Sequence, residues 1–101
     1  DVNDAPVIEI SEPKQPVEGQ ADKTTPVAKI TVTDEDKDKP NVTLDDPDGV
    51  YNYDPKTGNV TLTAEGVKKV NSGEDLPPIK AKADDNKGGV TTAEKPVPPT
   101  T

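Results

Sequence analysis

Tyr51-Asn52-Tyr53-Asp54-Pro55-Lys56-Thr57-Gly58-Asn59-Val60-Thr61-Leu62 holds two runs of alternating side chains on either side of a turn. Tyr51 and Tyr53 fall on one face of the first run, Val60 and Leu62 on one face of the second. Pro55 presets φ, and Gly58 suits a left-handed position, so the segment predicts a β-hairpin with a loop of three to five residues. Such a hairpin in the middle of a chain makes β-structure the reading to extend in both directions.

Upstream, residues 27–33 run Val-Ala-Lys-Ile-Thr-Val-Thr, with Ala28, Ile30 and Val32 on one side and Lys29, Thr31 and Thr33 on the other. This is a half-buried strand. Val7-Ile8-Glu9-Ile10 puts Ile8 and Ile10 on one face and predicts the first strand. Pro13 and Pro16 then interrupt it. Proline gives no N–H to a ladder and is tolerated only at an edge or a bulge, so residues 15–18 read as a kinked edge continuation. Val42-Thr43-Leu44 is a further short strand, followed by an Asp-Pro-Asp-Gly turn that ends at Gly49.

Downstream of Leu62 the period changes. Thr63 can cap a short helical turn near residues 65–71, where Val67 and Val70 stand three apart, and Gly73 stops it. Alternation returns in Ile79-Lys80-Ala81-Lys82-Ala83, residues 84–89 form an acidic turn closed by glycine, and residues 90–93 make the last strand. Seven short strands joined by Pro/Gly/Asp loops predict an all-β, antiparallel sandwich rather than a βαβ fold.

Composition narrows what such a sandwich can do. With 101 residues, 28% apolar and 32% charged, the chain makes one domain. Twelve Lys, with no Arg and no His, stand against 13 Asp and 7 Glu for a net charge of −8, which argues against any partner bound through its phosphates, nucleic acid included. Apolar runs stop at three to four residues, far below the roughly 20 that a membrane helix needs, and no secretion signal opens the chain. Without Cys or His there are no disulfides, thiolate or imidazole metal sites or imidazole-based triads, so an enzyme is not expected. The core must come from Val, Ile, Leu and two Tyr, since Phe, Trp and Met are absent. Twelve Pro, seven Gly and the high charge make disorder the competing reading, which the alternating strands and the hairpin oppose.

The acids are unevenly spread. Asp34, Glu35, Asp36, Asp38, Asp45, Asp46 and Asp48 face only Lys37 and Lys39 within fifteen residues, a local charge of 2 − 7 = −5. Two readings stay open: a solvated acidic loop, or carboxylate and carbonyl oxygens gathered for Ca²⁺. The Asp34-x-Asp36-x-Asp38 spacing is not an EF-hand, because Lys39 and Pro40 stand where that loop needs Gly and a carbonyl donor. In a sandwich with this strand order, alternate loops meet at one pole. The chain start, the loop of residues 34–41 and the turn after Ala83 then share an end, and Glu18 and the helical turn take the other.

Here the residues carry a resemblance. Asp1-Val2-Asn3-Asp4-Ala5-Pro6 resembles the linker between cadherin repeats; Val17-Glu18, Asp34-Glu35-Asp36 and Ala83-Asp84 are similar to that family's early glutamate, its D-x-D and its A-D near the penultimate strand. Tyr53-Asp54-Pro55-Lys56-Thr57-Gly58-Asn59-Val60 resembles the family's D-x-x-T-G stretch, and residues 60–78 resemble cadherin-like repeats of the large RTX-type adhesins that Gram-negative bacteria export by type I secretion.

The resemblance implies a Greek-key, cadherin/immunoglobulin-like sandwich. Residues 1–6 would be an interdomain linker, 7–95 the domain and 96–101 a C-terminal linker. It also implies Ca²⁺ at the N-terminal pole: Asn3 through its side chain, Ala5 through its carbonyl, Asp34, Asp36 and Asp84 through carboxylates, Asn41 through its backbone, and Asp1 and Asp4 at neighbouring positions. Glu18, with Glu65, Glu74 or Asp75, would serve the opposite junction. The chain departs from the family in two places. Glu94-Lys95-Pro96-Val97-Pro98 lacks a second D-x-N-D linker, and Thr63-Ala64-Glu65 only partly matches L-D-R-E.

The function implied is a calcium-stiffened extender repeat of a secreted cell-surface adhesin of a Gram-negative bacterium. Its partners would be adjacent repeats of the same polypeptide, and the isolated domain would be a monomer. The alternative is an adhesin module that binds a sugar or peptide through calcium and exposed Tyr51 or Tyr53.

Overall fold

The computed structural model describes residues 6–33, 40–85 and 88–101. They form seven strands and one helix: β1 (Val7–Ile10), β2 (Ala28–Thr33), β3 (Asn41–Leu44), β4 (Tyr51–Tyr53), β5 (Asn59–Leu62), α1 (Ala64–Asn71), β6 (Ile79–Asp84) and β7 (Val90–Lys95). Two sheets result, one in the order β1-β2-β5-β4 and one in the order β3-β6-β7, with every pairing antiparallel.

The alternation seen in the sequence selects the faces. Ile8, Ile10, Ala28 and Ile30 are buried while Glu9, Lys29 and Thr31 are exposed. From the facing sheet come Ile79, Ala81 and Ala83, with Lys80 and Lys82 turned to solvent. The core's most enclosed large side chains are Ile79, Val50, Val60 and Val70.

The central hairpin forms as its sequence requires. Tyr51 pairs with Leu62 and Tyr53 with Val60. The five loop residues, 54–58, are closed by Gly58 N–H donating to the Asp54 carbonyl at 2.7 Å and Asp54 N–H donating to that of Asn59 at 2.9 Å. Gly58 has φ +80°, and its carbonyl accepts from Ile30 N–H at 2.7 Å, so turn and neighbouring strand touch through backbone. A Cβ at Gly58 would collide with the Ile30 carbonyl oxygen, which gives a second reason for glycine there.

Helix α1 starts one residue before the expected range. The Thr63 hydroxyl accepts from Gly66 N–H at 3.3 Å and also donates to the Gly49 carbonyl, so the cap ties the helix to the turn before β4. The helix ends in a Schellman motif: Gly73 N–H donates to Val70 O and Glu74 N–H to Lys69 O, both at 2.9 Å, with Gly73 at φ +81°. Strand β7 runs two residues beyond its expected end, because Glu94 and Lys95 find ladder partners in Lys80 and Ile79. Pairing overrides their weak strand preference.

The chain after the first strand changes partner. Beyond Ile10, Ser11 N–H donates to Lys29 O at 2.9 Å and Lys14 N–H to Val27 O at 2.8 Å, which keeps it beside β2. Past Pro16 it changes partner: Thr101 N–H donates to Pro16 O at 3.0 Å and Glu18 N–H to Thr101 O at 2.8 Å. Those two bonds bracket Val17 and Thr101 as a parallel pair. Buried Pro13 and Pro16 stand at this change, where their missing N–H groups leave no donor unpaired.

Candidate functional site

The strand registers fix which loops meet. Val7 pairs with Thr33, so the chain start and the β2–β3 connection leave the four-stranded sheet at the same end. Asn41 pairs with Asp84 and Asp84 with Val90, so the start of β3 and the β6–β7 turn share one end of the three-stranded sheet. Strands β1 and β7 run side by side in the same direction. Residues 8–10 and 93–95 line one surface groove, and Glu12 Oε1 lies 3.0 Å from Lys95 Nζ. The two ends are therefore one pole of the molecule.

Of the residues expected at that pole, Asn41 and Asp84 are described, and they face each other across the β3–β6 ladder, Asn41 exposed and Asp84 half-buried. Asp1, Asn3, Asp4, Ala5, Asp34 and Asp36 lie outside the described residues. Among the described residues no group of three or more acids gathers closely enough to hold a metal ion.

Asp85, which the sequence reading passed over, is buried at this pole, 4% exposed, the one buried acid among the described residues. Its Oδ1 accepts from Gly89 N–H at 2.9 Å, while its own N–H donates to Gly89 O at 3.0 Å, closing the β6–β7 turn. The signal was present in the alternation: Ile79, Ala81, Ala83 and Asp85 follow one another at period two on the core side. A carboxylate on that side of a strand end is hard-oxygen ligand chemistry, and burying it demands hydrogen bonds or a cation.

Asp45, Asp46 and Asp48 of the acidic run lie beyond the end of β3 away from Asn41, a strand of four residues or roughly 13 Å at about 3.3 Å per residue. Asp46 is half-buried, and its carboxylate accepts from Val50 N–H at 3.1 Å and Tyr51 N–H at 2.8 Å. It shapes the turn before β4 at the far pole. Asp45, Asp46 and Asp48 therefore lie towards the opposite pole from Asn41 and Asp84.

Glu18 sits at that opposite pole, exposed, with its carboxylate against Gly73, where an added Cβ would meet Oε1 at 3.3 Å. Glu74 and Asp75 follow Gly73 directly. Thr100 N–H donates to Asp75 Oδ1 at 3.0 Å and the Thr100 hydroxyl to the Glu74 carbonyl at 2.7 Å. Residues 99–101, expected to be linker, are thus hydrogen-bonded to the body of the fold. Nearby, a recess of about 140 Å³ opens over Val27, Leu62, Val70 and Leu76. Asp22 at its rim accepts two backbone and two hydroxyl hydrogen bonds from Thr24 and Thr25 at 2.7–3.0 Å. The amide of Thr25 first, then that of Thr24, hold its carboxyl down at about 2.

The tyrosines are structural. Tyr51 is buried and its hydroxyl donates to the Pro77 carbonyl. Burial first, and the nearby Asp46 charge second, push its phenol above the usual range. Tyr53 is half-buried, and the same two causes, with Asp54 as the charge, raise it as well.

No helix among the described residues is long and apolar enough to cross a membrane. No family model matches the chain, and comparisons with curated proteins and with solved structures give no match either.

Proposed function

We propose that this chain is a cadherin-like, calcium-dependent extender repeat of a secreted bacterial surface adhesin, in which Ca²⁺ at the N-terminal pole stiffens the joint with an adjacent repeat. The strand order supports the fold assignment. Lettered A to G in chain order, the sheets read ABED and CFG, the arrangement of Greek-key immunoglobulin-type sandwiches. The observation that carries the functional reading is the pairing of Val7 with Thr33 and of Asn41 with Asp84. Val7, Thr33 and Asn41, which border the Asp-x-Asn-Asp start and the Asp34-Glu35-Asp36 connection in sequence, thus end at the same pole as Ala83-Asp84-Asp85.

On this reading Asp84 and Asn41 join Asp1, Asn3, Asp4, Ala5, Asp34 and Asp36 in the ligand set. Asp85, already oriented by the Gly89 amide, adds a second carboxylate from the same turn. The bound ion supplies the positive charge that lets these oxygens sit together. Glu18 serves the opposite junction, beside Glu74 and Asp75. The role is structural rather than catalytic, and the burial of Tyr51 weighs against a sugar platform on β4.

Extracellular calcium modules bind at about 10⁻⁴–10⁻³ M, so such a repeat stays unloaded inside the cell and loads after export. Calcium at a hundred times its dissociation constant adds about 2.7 kcal/mol, which in a domain of this size raises the melting temperature by about 10 °C. Calorimetry in chelator and then in excess calcium tests this: the rise is present in the native chain and mostly lost in Asp36→Ala. Identical melting curves in the two solutions would sink the proposal.

A further inference from the structure

The turn after β3 holds the chain's one Asp-Gly pair, Asp48-Gly49, and the sequence has no Asn-Gly. Asp48 and Gly49 are both exposed, and Gly49 stands at φ +65° with open space where a Cβ would project. With no side chain, Gly49 puts no steric screen between its own amide nitrogen and the carboxyl of the preceding residue. Its N–H donates to the Asp46 carbonyl at 3.1 Å, at the long end of the usual range. The residues that follow are held more firmly. Fully buried Val50 donates its N–H to the Asp46 carboxylate, and so does Tyr51. The Gly49 carbonyl accepts from the Thr63 hydroxyl that caps α1.

We infer that Asp48-Gly49 is a self-modification site: the folded turn closes to a succinimide, reopens as isoaspartate, and passes the change on to the start of α1. The Gly49 nitrogen adds to Cγ of the protonated Asp48 carboxyl, and the carboxyl's hydroxyl leaves with the amide proton as one water. One water then opens the ring. Attack at Cγ restores aspartate, whereas attack at the main-chain carbonyl carbon of Asp48 leaves Gly49 joined through Cγ, beside a free α-carboxylate. Nothing is oxidised or reduced. The new link carries one more main-chain atom, the Asp48 Cβ. Because Asp46 and buried Val50 fix the two sides of the turn, the extra length falls on Gly49 and moves its carbonyl off Thr63. The turn lies towards the opposite pole from Asn41 and Asp84, so the reaction proceeds in chelator and is separable from the calcium reading.

The test incubates the full chain in chelator at neutral pH in ¹⁸O-labelled water, folded in buffer and unfolded in urea. Its peptides are then mapped by mass spectrometry with electron-transfer fragmentation. Heavy oxygen and isoaspartate are expected at residue 48 ahead of every other Asp. The folded chain should react within about tenfold of the rate in urea, the cost of opening one hydrogen bond. Asp48→Glu, whose closure needs a six-membered ring, should stay unlabelled at that position. The isoaspartyl form, separated by ion exchange, should exchange its Gly66 amide proton about fivefold faster than the native chain. Label at residue 48 confined to the urea sample, or equal label in Asp48→Glu, would overturn the site. Native exchange at Gly66 in the isoaspartyl form would overturn the transmission to α1.

Discussion

Asp22 is fully exposed, yet it gathers four donors from Thr24 and Thr25, and the sign of its effect follows from the direction of the shift. Its folded-state carboxyl titrates at about 2, below the value of about 3.9 expected in an unfolded chain. The stabilisation is therefore present above about pH 4 and is lost as pH falls towards 2. Replacing Asp22 by Asn should flatten this part of the stability–pH curve, read as the urea midpoint at steps between pH 5 and 2. An unchanged acid slope would mean that the loop bonds are not formed in solution. In the sequence Asp22-Lys23-Thr24-Thr25 is simply a polar stretch. The concentration of its bonds on one carboxylate was not legible there, because that depends on how Thr24 and Thr25 fold back on it.

The packing of helix α1 on the sheet explains why its sequence looks poor for a helix. Gly66 normally costs about 1 kcal/mol in such a position relative to Ala, yet here it is buried, and a Cβ would run into the Val50 carbonyl and the Leu62 side chain. Gly66→Ala should thus lower stability by about 1–3 kcal/mol, the range for overpacking, where propensity alone forecasts a gain. Chemical denaturation decides between them, and a raised midpoint would show that the helix sits further from the sheet. Strand positions were readable because period two is a local signal, as Ile8, Ile10, Ala28 and Ile30 illustrate. The helix limits were readable from Thr63 and Gly73. What stayed hidden was long-range: the change of hydrogen-bond partner at Pro16, the close approach at Gly66, and the place of Asp45, Asp46 and Asp48 at the end of β3 away from Asn41. Asp85 is the exception, since the alternation that buries Ala81 and Ala83 also turns it inward.

At the level of the whole molecule the fold is long and narrow, 52 × 21 × 20 Å, with a radius of gyration of 14.5 Å. A compact domain of this length would have about 13 Å. Asp45, Asp46 and Asp48 lie at the other end of β3 from Asn41, which takes them out of the crowding that first suggested a metal. The calcium account therefore rests on the pole shared by the chain start, the β2–β3 connection and the β6–β7 turn. Amide chemical shifts of the ¹⁵N-labelled chain, followed through a calcium titration at fixed ionic strength, test that pole directly. The account predicts saturable shifts centred on Asn41, Asp84, Asp85 and Gly89, with a midpoint at about 10⁻⁴–10⁻³ M, while Thr24 and Thr25 stay in place. Shifts that grow without saturating, or that magnesium reproduces equally well, would contradict it.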